Sequence, residues 1–207
     1  MSSRRSGVAL VLSAPSGTGK STLCNMLIKE FPRFSFSISY TTRDPREGER
    51  DGQDYHFVTK RDFLSRIDQG FFAEWAQVHG NYYGTPLGAT RSILTQGKDL
   101  LFDIDVQGAF QLKESMGQGC FVFLFPPSLA ELKRRLACRG SEDSKVLDTR
   151  IKNAREEIKK ANFFDFWIVN DDLDRAYDRL RAVYLAEQSR ACLQPSLMKQ
   201  ILSTWEE

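Results

Sequence analysis

The sequence has few of the residues that build metal centres and disulfide frameworks. It contains only two histidines, and its four cysteines lie too far apart along the chain to form a CxxC pair. Imidazole and thiolate groups are the usual zinc ligands in proteins, so we do not expect a zinc site. Free cysteines are typical of a reducing compartment, and we therefore expect a cytoplasmic protein.

A strong net charge and long apolar runs are also missing. The 29 basic and 27 acidic residues leave a formal charge of +2, which provides no overall field for binding nucleic acid or an anionic membrane. No apolar stretch approaches the roughly 20 residues that cross a bilayer. The run Val8–Leu12 is soon interrupted by Ser13 and Pro15, which favours a strand over a signal peptide. Anion binding, if present, must therefore be local.

The composition is that of an ordinary globular protein. With 207 residues, 41% of them hydrophobic and 27% charged, the chain is long enough to bury a substantial core. We expect one domain, or a core with inserted lobes.

An alternation of strand and helix patterns predicts an α/β fold. Val8–Leu12 is a continuous apolar run, and it is followed by a glycine-containing loop and an amphipathic helical pattern over Lys20–Glu30. Three later apolar runs each precede a helical stretch: Leu100–Ile104, Phe121–Phe125 and Phe166–Val169. This order predicts a parallel sheet covered by helices.

Two segments differ in texture from this core. Between the first and second core strands, three alternating or aromatic-rich runs predict a small β-rich lobe: Phe34–Ser39, Tyr55–Val58 and Phe72–Val78. Further along, 131–160 is helical in pattern and has more basic than acidic residues. On this pattern alone, the ordinary interpretation is a solvated, salt-bridged helix pair.

The strongest chemical signal lies between the first strand and the first helix. It comprises Ser13, Ala14, Pro15, Ser16, Gly17, Thr18, Gly19, Lys20, Ser21 and Thr22. A phosphate-binding loop needs small residues where the backbone wraps an anion, a lysine for the outer phosphates and a hydroxyl for Mg²⁺. Ala14 stands where the GxxxxGK[ST] pattern has its first glycine, so the match departs from the strict pattern at one position. We predict an ATP-binding loop.

Two further groups of polar residues suit a second, phosphorylated substrate. Arg43 and Arg46 lie close to Pro45 and could bind one phosphate dianion. On this segment alone, a turn with solvated arginines is an equally good interpretation. Asp103 and Asp105 end the strand Leu100–Ile104, at the edge of the sheet where α/β folds expose functional side chains. Asp105 could equally cap the following helix.

Six motifs in this order and spacing resemble guanylate kinase: APSGTGKST, SYTTRDPREGE, DYHF, AEWAQVHGNYYGT, LFDIDVQG and IVNDD. The resemblance implies a parallel-sheet P-loop core, an inserted β-rich GMP-binding lobe and a helical lid. On this division the core is about 5–33, 98–130 and 161–190, the lobe is about 34–97, and the lid is about 131–160. A tail, 191–207, has no counterpart in the family pattern.

The resemblance also implies roles for single residues. Glu74 would read the guanine base, because a carboxylate accepts from the two adjacent donors on its Watson–Crick edge. The remaining GMP ligands would be Ser39, Arg43, Arg46, Tyr55, Tyr83, Thr85, Asp103 and Asp105. On the ATP side, the phosphate-binding loop would be joined by Arg135, Arg139 and Asn170, with Asn170 near adenine. Lys20, Arg43, Arg139 and Arg150 would stabilise the transferring phosphoryl group, and Ser21 and Asp103 would serve Mg²⁺.

The predicted activity is therefore ATP-dependent phosphorylation of GMP, and of dGMP, in guanine nucleotide synthesis and recycling. A catalytically silent interaction module of the same fold is the alternative from another class, and a kinase for another monophosphate is the enzymatic alternative. In the tail, Leu197, Ile201 and Trp205 could form one helical stripe that docks on the core or on a second subunit. The spacing does not choose between these two, so a homo-oligomer stays open.

Overall fold

A computed structural model of the chain describes residues 5–35, 37–78, 80–137 and 144–205, with the backbone alone at 144 and 145. The strands of these residues are β1 (Ala9–Ser13), β2 (Phe34–Ser35), β3 (Tyr40–Thr41), β4 (His56–Phe57), β5 (Phe72–Val78), β6 (Asn81–Pro86), β7 (Asp99–Asp103), β8 (Cys120–Phe125) and β9 (Phe166–Val169). The helices are α1 (Lys20–Glu30), α2 (Lys60–Asp68), α3 (Leu87–Thr95), α4 (Val106–Met116), α5 (Leu129–Ala137), α6 (Ser144–Lys159), α7 (Leu173–Gln188) and α8 (Leu197–Ser203). Short 3₁₀ turns occupy Ala161–Phe163 and Ala191–Leu193.

The core is a five-stranded, fully parallel sheet in the order β2-β7-β1-β8-β9. Its central strand β1 is buried throughout, because helices cover both faces. Leu10 and Leu12 face the side occupied by α1 and α7, whereas Val11 packs with residues of α3 and α4 on the other side. This confirms the predicted α/β class and the parallel sheet.

The lobe is a four-stranded mixed sheet in the order β4-β3-β6-β5. Helix α2 packs on it through Phe63, whose ring stacks on that of Phe72 with centroids 4.4 Å apart. Gly84 of β6 leaves room for these rings, since a Cβ there would lie 2.9 Å from Phe72. The sheet therefore has its own aromatic core.

Two features of this region were not predicted. Phe34–Ser35, grouped with the lobe by its sequence texture, pairs with β7 and belongs to the core sheet. Helices α2 and α3 were also missed, because short helices between aromatic strands leave a weak periodic signal.

The predicted helical region over 131–160 is confirmed as helical in its described part. Helices α5 and α6 bury a small apolar cluster of Leu132, Leu136 and Ala154, with charged residues on the outside.

The tail residues form the predicted helix, α8, after Pro195. Its apolar residues remain largely exposed, with Met198 at 75% and the following Trp205 at 77%. Within the described ranges, no helix combines the length and the apolar character needed to span a membrane.

Asp99, at the start of β7, joins the amino-terminal segment to α7. Its buried carboxylate accepts hydrogen bonds from Arg5 at 2.8 and 2.7 Å, from the Val8 N–H at 2.7 Å and from the Tyr184 hydroxyl at 2.6 Å. Burial alone would raise the pKa of Asp99, but these donors together hold it below its ordinary value.

We expect Asp99→Asn to lower the free energy of unfolding by about 3 kcal/mol at pH 7, because Arg5 and Tyr184 lose a buried charged acceptor. Since the folded pKa is depressed, this contribution is present above the unfolded pKa and disappears as the pH falls through the folded pKa. The difference between wild type and variant should therefore shrink in acid. Urea unfolding at several pH values measures it, with the exposed Glu156→Gln as the control. An unchanged midpoint for Asp99→Asn would contradict this role.

Candidate active site

The predicted phosphate-binding loop connects β1 to α1 and wraps one side of a cleft of about 350 Å³. Gly17 and Gly19 have φ values of 86° and 101°, which disfavour residues with a side chain. Neighbours also exclude a side chain at both positions, because a Cβ would lie 2.8 Å from Leu136 at Gly17 and 2.5 Å from Asn170 at Gly19. Ala14, which stands where the strict pattern has a glycine, is largely buried and lines the same cleft.

Lys20 begins α1 and reaches the end of β7. Its ammonium forms an ion pair with Asp103 and donates to the Ile104 carbonyl at 3.3 Å. Parallel pairing of β1 with β7 places the loop beside these residues. The loop, Asp103 and Asp105 line the same cleft.

Glu74 lies in a second cleft, of about 340 Å³, between the lobe and the end of β7. The residue is 8% exposed, and its carboxylate accepts a hydrogen bond from the Thr85 hydroxyl at 2.5 Å. Burial raises the pKa of Glu74, the Thr85 bond opposes this, and the nearby Asp105 raises it further. An incoming pair of hydrogen-bond donors would favour the ionised form.

The position of Glu74 is set by contacts between the lobe and α4. The Gln111 side chain accepts from the Trp75 N–H and donates to the Trp75 carbonyl, both at 3.0 Å. Gly108 in the first turn of α4 lets the carboxylates approach, since a Cβ there would lie 3.2 Å from Glu74 and 3.4 Å from Asp105. Asp105 caps this helix by accepting from the Gly108 N–H at 2.7 Å, as the sequence suggested.

Arg43 lies near the aromatic side chains of the lobe cleft. Its guanidinium donates to both carboxylate oxygens of Glu49, at 2.8 and 2.9 Å, and lies 5.6 Å from the Tyr55 ring centroid. Hydrogen bonding to Glu49 and, to a smaller extent, Tyr83 raise the pKa of Arg43. The Glu49 carboxylate also accepts from the Arg46 N–H at 2.7 Å, while the Arg46 side chain is exposed.

The remaining base-side residues lie where the lobe meets the core. Ser39 lines the lobe cleft with Glu74, Thr85, Tyr55 and Tyr83. A third cleft, of about 300 Å³, joins Ser39 and Thr85 to Ser21 and Asp103.

The predicted lid arginines have different positions. Arg135 on α5 contacts the phosphate-binding loop and the end of β9, where Asn170 is buried. Arg150 is on α6 and half-buried. Arg139 falls outside the described residues.

Asp103 connects the predicted subsites, because it lines all three clefts, and Asp105 lines two of them. Ser21 shares two of the clefts with Asp103. Among the described residues no group of three or more His, Cys, Asp or Glu side chains could hold a metal by itself. These oxygen donors fit a Mg²⁺ ion bound mainly by substrate phosphates and water.

Four further residues contact this region without having been singled out. Glu157 of α6 lines the loop cleft, and its pKa is raised by burial and then by Asp105, with Lys20 opposing. Gln111, Gly108 and Glu49 were not predicted either. Gly108 and Glu49 lie inside recognised motifs, but no role was assigned to them, and Gln111 lies outside the motifs. No local pattern distinguishes them from ordinary surface or helix residues.

Comparison with known proteins agrees with this arrangement. A family profile described as Guanylate kinase matches residues 6–187. The guanylate kinase of Nitratidesulfovibrio vulgaris is 56% identical over 207 residues, which cover 100% of both chains. That of Oleidesulfovibrio alaskensis is 56% identical over 201 residues, covering 97% of this chain and 98% of the relative. A crystal structure of guanylate kinase from Anaplasma phagocytophilum aligns with a TM-score of 0.73 and 36% identity, covering 98% of this chain and 97% of that one.

Proposed function

Since the chain belongs to the guanylate kinase family, we propose that it transfers the γ-phosphoryl group of ATP to GMP, giving ADP and GDP. The observation that carries this proposal is the junction of the two clefts. The cleft of the phosphate-binding loop and the cleft of Glu74 share Asp103 and Asp105. A donor in the first and an acceptor in the second would therefore lie next to each other.

On the donor side, the phosphate-binding loop would hold the ATP phosphates. The positive end of α1 and the Lys20 ammonium favour negative charge at this position. Lys20 already lies within the cleft, bound to Asp103. Phosphate would replace Asp103 as its anionic partner.

On the acceptor side, Glu74 would accept from the guanine ring N–H and exocyclic amino group. Thr85 holds the carboxylate, and Ser39 lies in the same cleft. At the other end Arg43, Arg46, Tyr55 and Tyr83 would bind the GMP phosphate, with Arg43 leaving Glu49 to do so. The Glu49 carboxylate now holds the Arg43 guanidinium through two oxygens, and a phosphate could accept from the same donors in a similar geometry.

The transfer itself would be direct and in line, with no covalent intermediate. GMP presents a phosphate that is already an anion, so no protein base has to remove a proton. Catalysis then depends on alignment and on charge stabilisation by Lys20 and by the lid arginines Arg139 and Arg150 when the lid closes. Closure would also exclude water, which competes with GMP for the phosphoryl group.

Mg²⁺ would be held next to Ser21 and Asp103, where oxygen donors of the loop and of β7 share a cleft. When bound, it would neutralise charge on the β- and γ-phosphates. Ser21 would bind it directly and Asp103 through water.

We extend the proposal to dGMP, because the assigned contacts are to the base and the phosphate. The activity would serve guanine nucleotide synthesis and recycling in the cytoplasm. Lys20, Ser21, Arg43, Arg46 and Asp103 are all retained, which argues against a silent interaction module that has lost its phosphate ligands.

A coupled assay with ATP and each of GMP, AMP, UMP and CMP tests the function. We expect GMP to be phosphorylated with a kcat/KM at least about a hundredfold above that of the others, because a buried acceptor set for guanine rejects bases with different donors. Turnover of AMP at a rate comparable to that of GMP would contradict the proposal. ATP hydrolysis with no acceptor preference would also contradict it.

A further inference from the structure

We propose that Asn170, with Arg135, is a positioning residue that fixes the conformation of the phosphate-binding loop through the Thr18 carbonyl. Asn170 would thereby act on the binding of any polyphosphate, a role separate from the adenine contact that the resemblance implies. The inference rests on the proposed function, because it takes the loop to be the ATP phosphate site.

Asn170 is held rigidly at the end of the core sheet. The residue is buried, at 4% exposure, and its backbone N–H donates to the Phe125 carbonyl at 2.9 Å. The side-chain Nδ2 donates to the Thr18 carbonyl at 2.7 Å. A Cβ at Gly19 would lie 2.5 Å from this nitrogen, so the amide packs directly against the loop.

Arg135 makes a second connection to the same carbonyl. Nη1 donates to Thr18 at 3.3 Å and Nη2 donates to the Asn170 carbonyl at 3.1 Å, while Nε is held by Glu131 at 2.7 Å. The three contacts link the lid helix α5, the end of β9 and the loop. Among the described residues the Thr18 hydroxyl has no hydrogen-bond partner, so Thr18 is held through its backbone. Its N–H donates to the Pro15 carbonyl at 3.2 Å, and its carbonyl accepts from Asn170 and Arg135.

Anchoring the carbonyl also sets the direction of a phosphate-facing donor. The Thr18–Gly19 peptide is trans and planar, so its C=O and N–H point in opposite directions. With the Thr18 carbonyl held toward Asn170, the Gly19 N–H is directed away from β9. Gly19 and Lys20 line the phosphate cleft, and glycine at this position restricts rotation of the peptide less than a residue with a side chain would.

A contact between Asn170 and the adenine base would have a different consequence for binding. The bond to Thr18 uses one of the two N–H donors of the amide, so the two roles are distinguished by the ligands they affect. A base contact predicts an effect on nucleotides alone, and an anchor predicts an effect on any polyphosphate.

The test is Asn170→Ala, which removes the donor to Thr18 without adding volume beside the loop. Titration calorimetry would measure Kd for ADP, for inorganic tripolyphosphate with Mg²⁺, and for GMP. We expect ADP and tripolyphosphate to bind about tenfold more weakly, since a positioning hydrogen bond to the loop is lost, and GMP to bind as in wild type. Asp171→Asn, an exposed neighbour in the same turn, is the matched control and should match wild type for all three ligands.

Weaker ADP binding with unchanged tripolyphosphate binding would assign Asn170 to the base and overturn the proposal. Unchanged binding of both, or an equal loss for GMP, would overturn it as well. If Asn170→Ala does not fold, Asn170→Ser removes the same amide donor with a polar side chain and should give the same pattern. If the wild-type protein binds neither ADP nor tripolyphosphate, the assignment of the loop as the ATP phosphate site is wrong. This outcome differs from the one in which wild type and variant bind both ligands equally well.

Discussion

Lys20→Ala is expected to lower kcat about a thousandfold while leaving the fold intact, because the ammonium stabilises the transferring phosphoryl group in the transition state. In the structure the Lys20 ammonium contacts Asp103 and the Ile104 carbonyl, which are both polar groups. Alanine is also a good helix residue at the first position of α1. Steady-state kinetics and circular dichroism measure the two parts of this expectation.

Lys29→Ala provides the matched control for Lys20→Ala. It removes the same ammonium from the exposed end of the same helix and should keep wild-type kcat. Activity of Lys20→Ala within a few-fold of wild type would show that the loop is not the ATP phosphate site.

The second large effect is expected for Glu74→Gln. The substitution keeps the shape and the acceptor for Thr85, but replaces one carboxylate oxygen with an NH₂ group that would face a guanine donor. An unmet buried donor costs about 1–3 kcal/mol, so kcat/KM for GMP should fall roughly tenfold or more while KM for ATP stays unchanged. The preference for GMP over AMP should shrink. Asp68→Asn, an exposed carboxylate-to-amide change on α2 of the same lobe, should keep full GMP selectivity.

Glu74 should also give GMP binding a pH dependence. Burial raises the pKa of Glu74, and guanine recognition needs the ionised carboxylate. At pH values above this pKa GMP should therefore bind tightly, and its affinity should decrease as the pH falls through the pKa. The Glu74→Gln variant should lack this dependence. A wild-type profile identical to that of the variant would exclude Glu74 as the titrating group.

The fold could be predicted where the sequence pattern is local. The apolar runs that became β1, β7 and β8 are continuous because both faces of the sheet are covered there, and this leaves a clear signal. The edge strand β9 was predicted from its apolar run although most of it is exposed. The edge strand β2 has only two residues, Phe34–Ser35, and its pairing with β7 depends on a contact far along the chain. Such a pairing leaves no periodic pattern to read.

The same distinction holds in the candidate site. The phosphate-binding loop is a contiguous motif, and the resemblance to a family supplied a role for Glu74. The hydrogen bonds of Gln111 with Trp75 and of Asn170 with Thr18 join residues 36 and 152 positions apart, so the fold has to be known before they appear. These long-range polar contacts decide how the recognised motifs are held.

The most direct measurement of the central claim is a crystal structure of the chain with GMP bound. The account predicts that the guanine ring N–H and amino group lie within about 3 Å of the Glu74 carboxylate, the length of an ordinary hydrogen bond. It also predicts that the GMP phosphate contacts Arg43 and points toward Asp103 and the phosphate-binding loop. GMP bound with its base away from Glu74, or with its phosphate pointing away from the loop, would contradict the account.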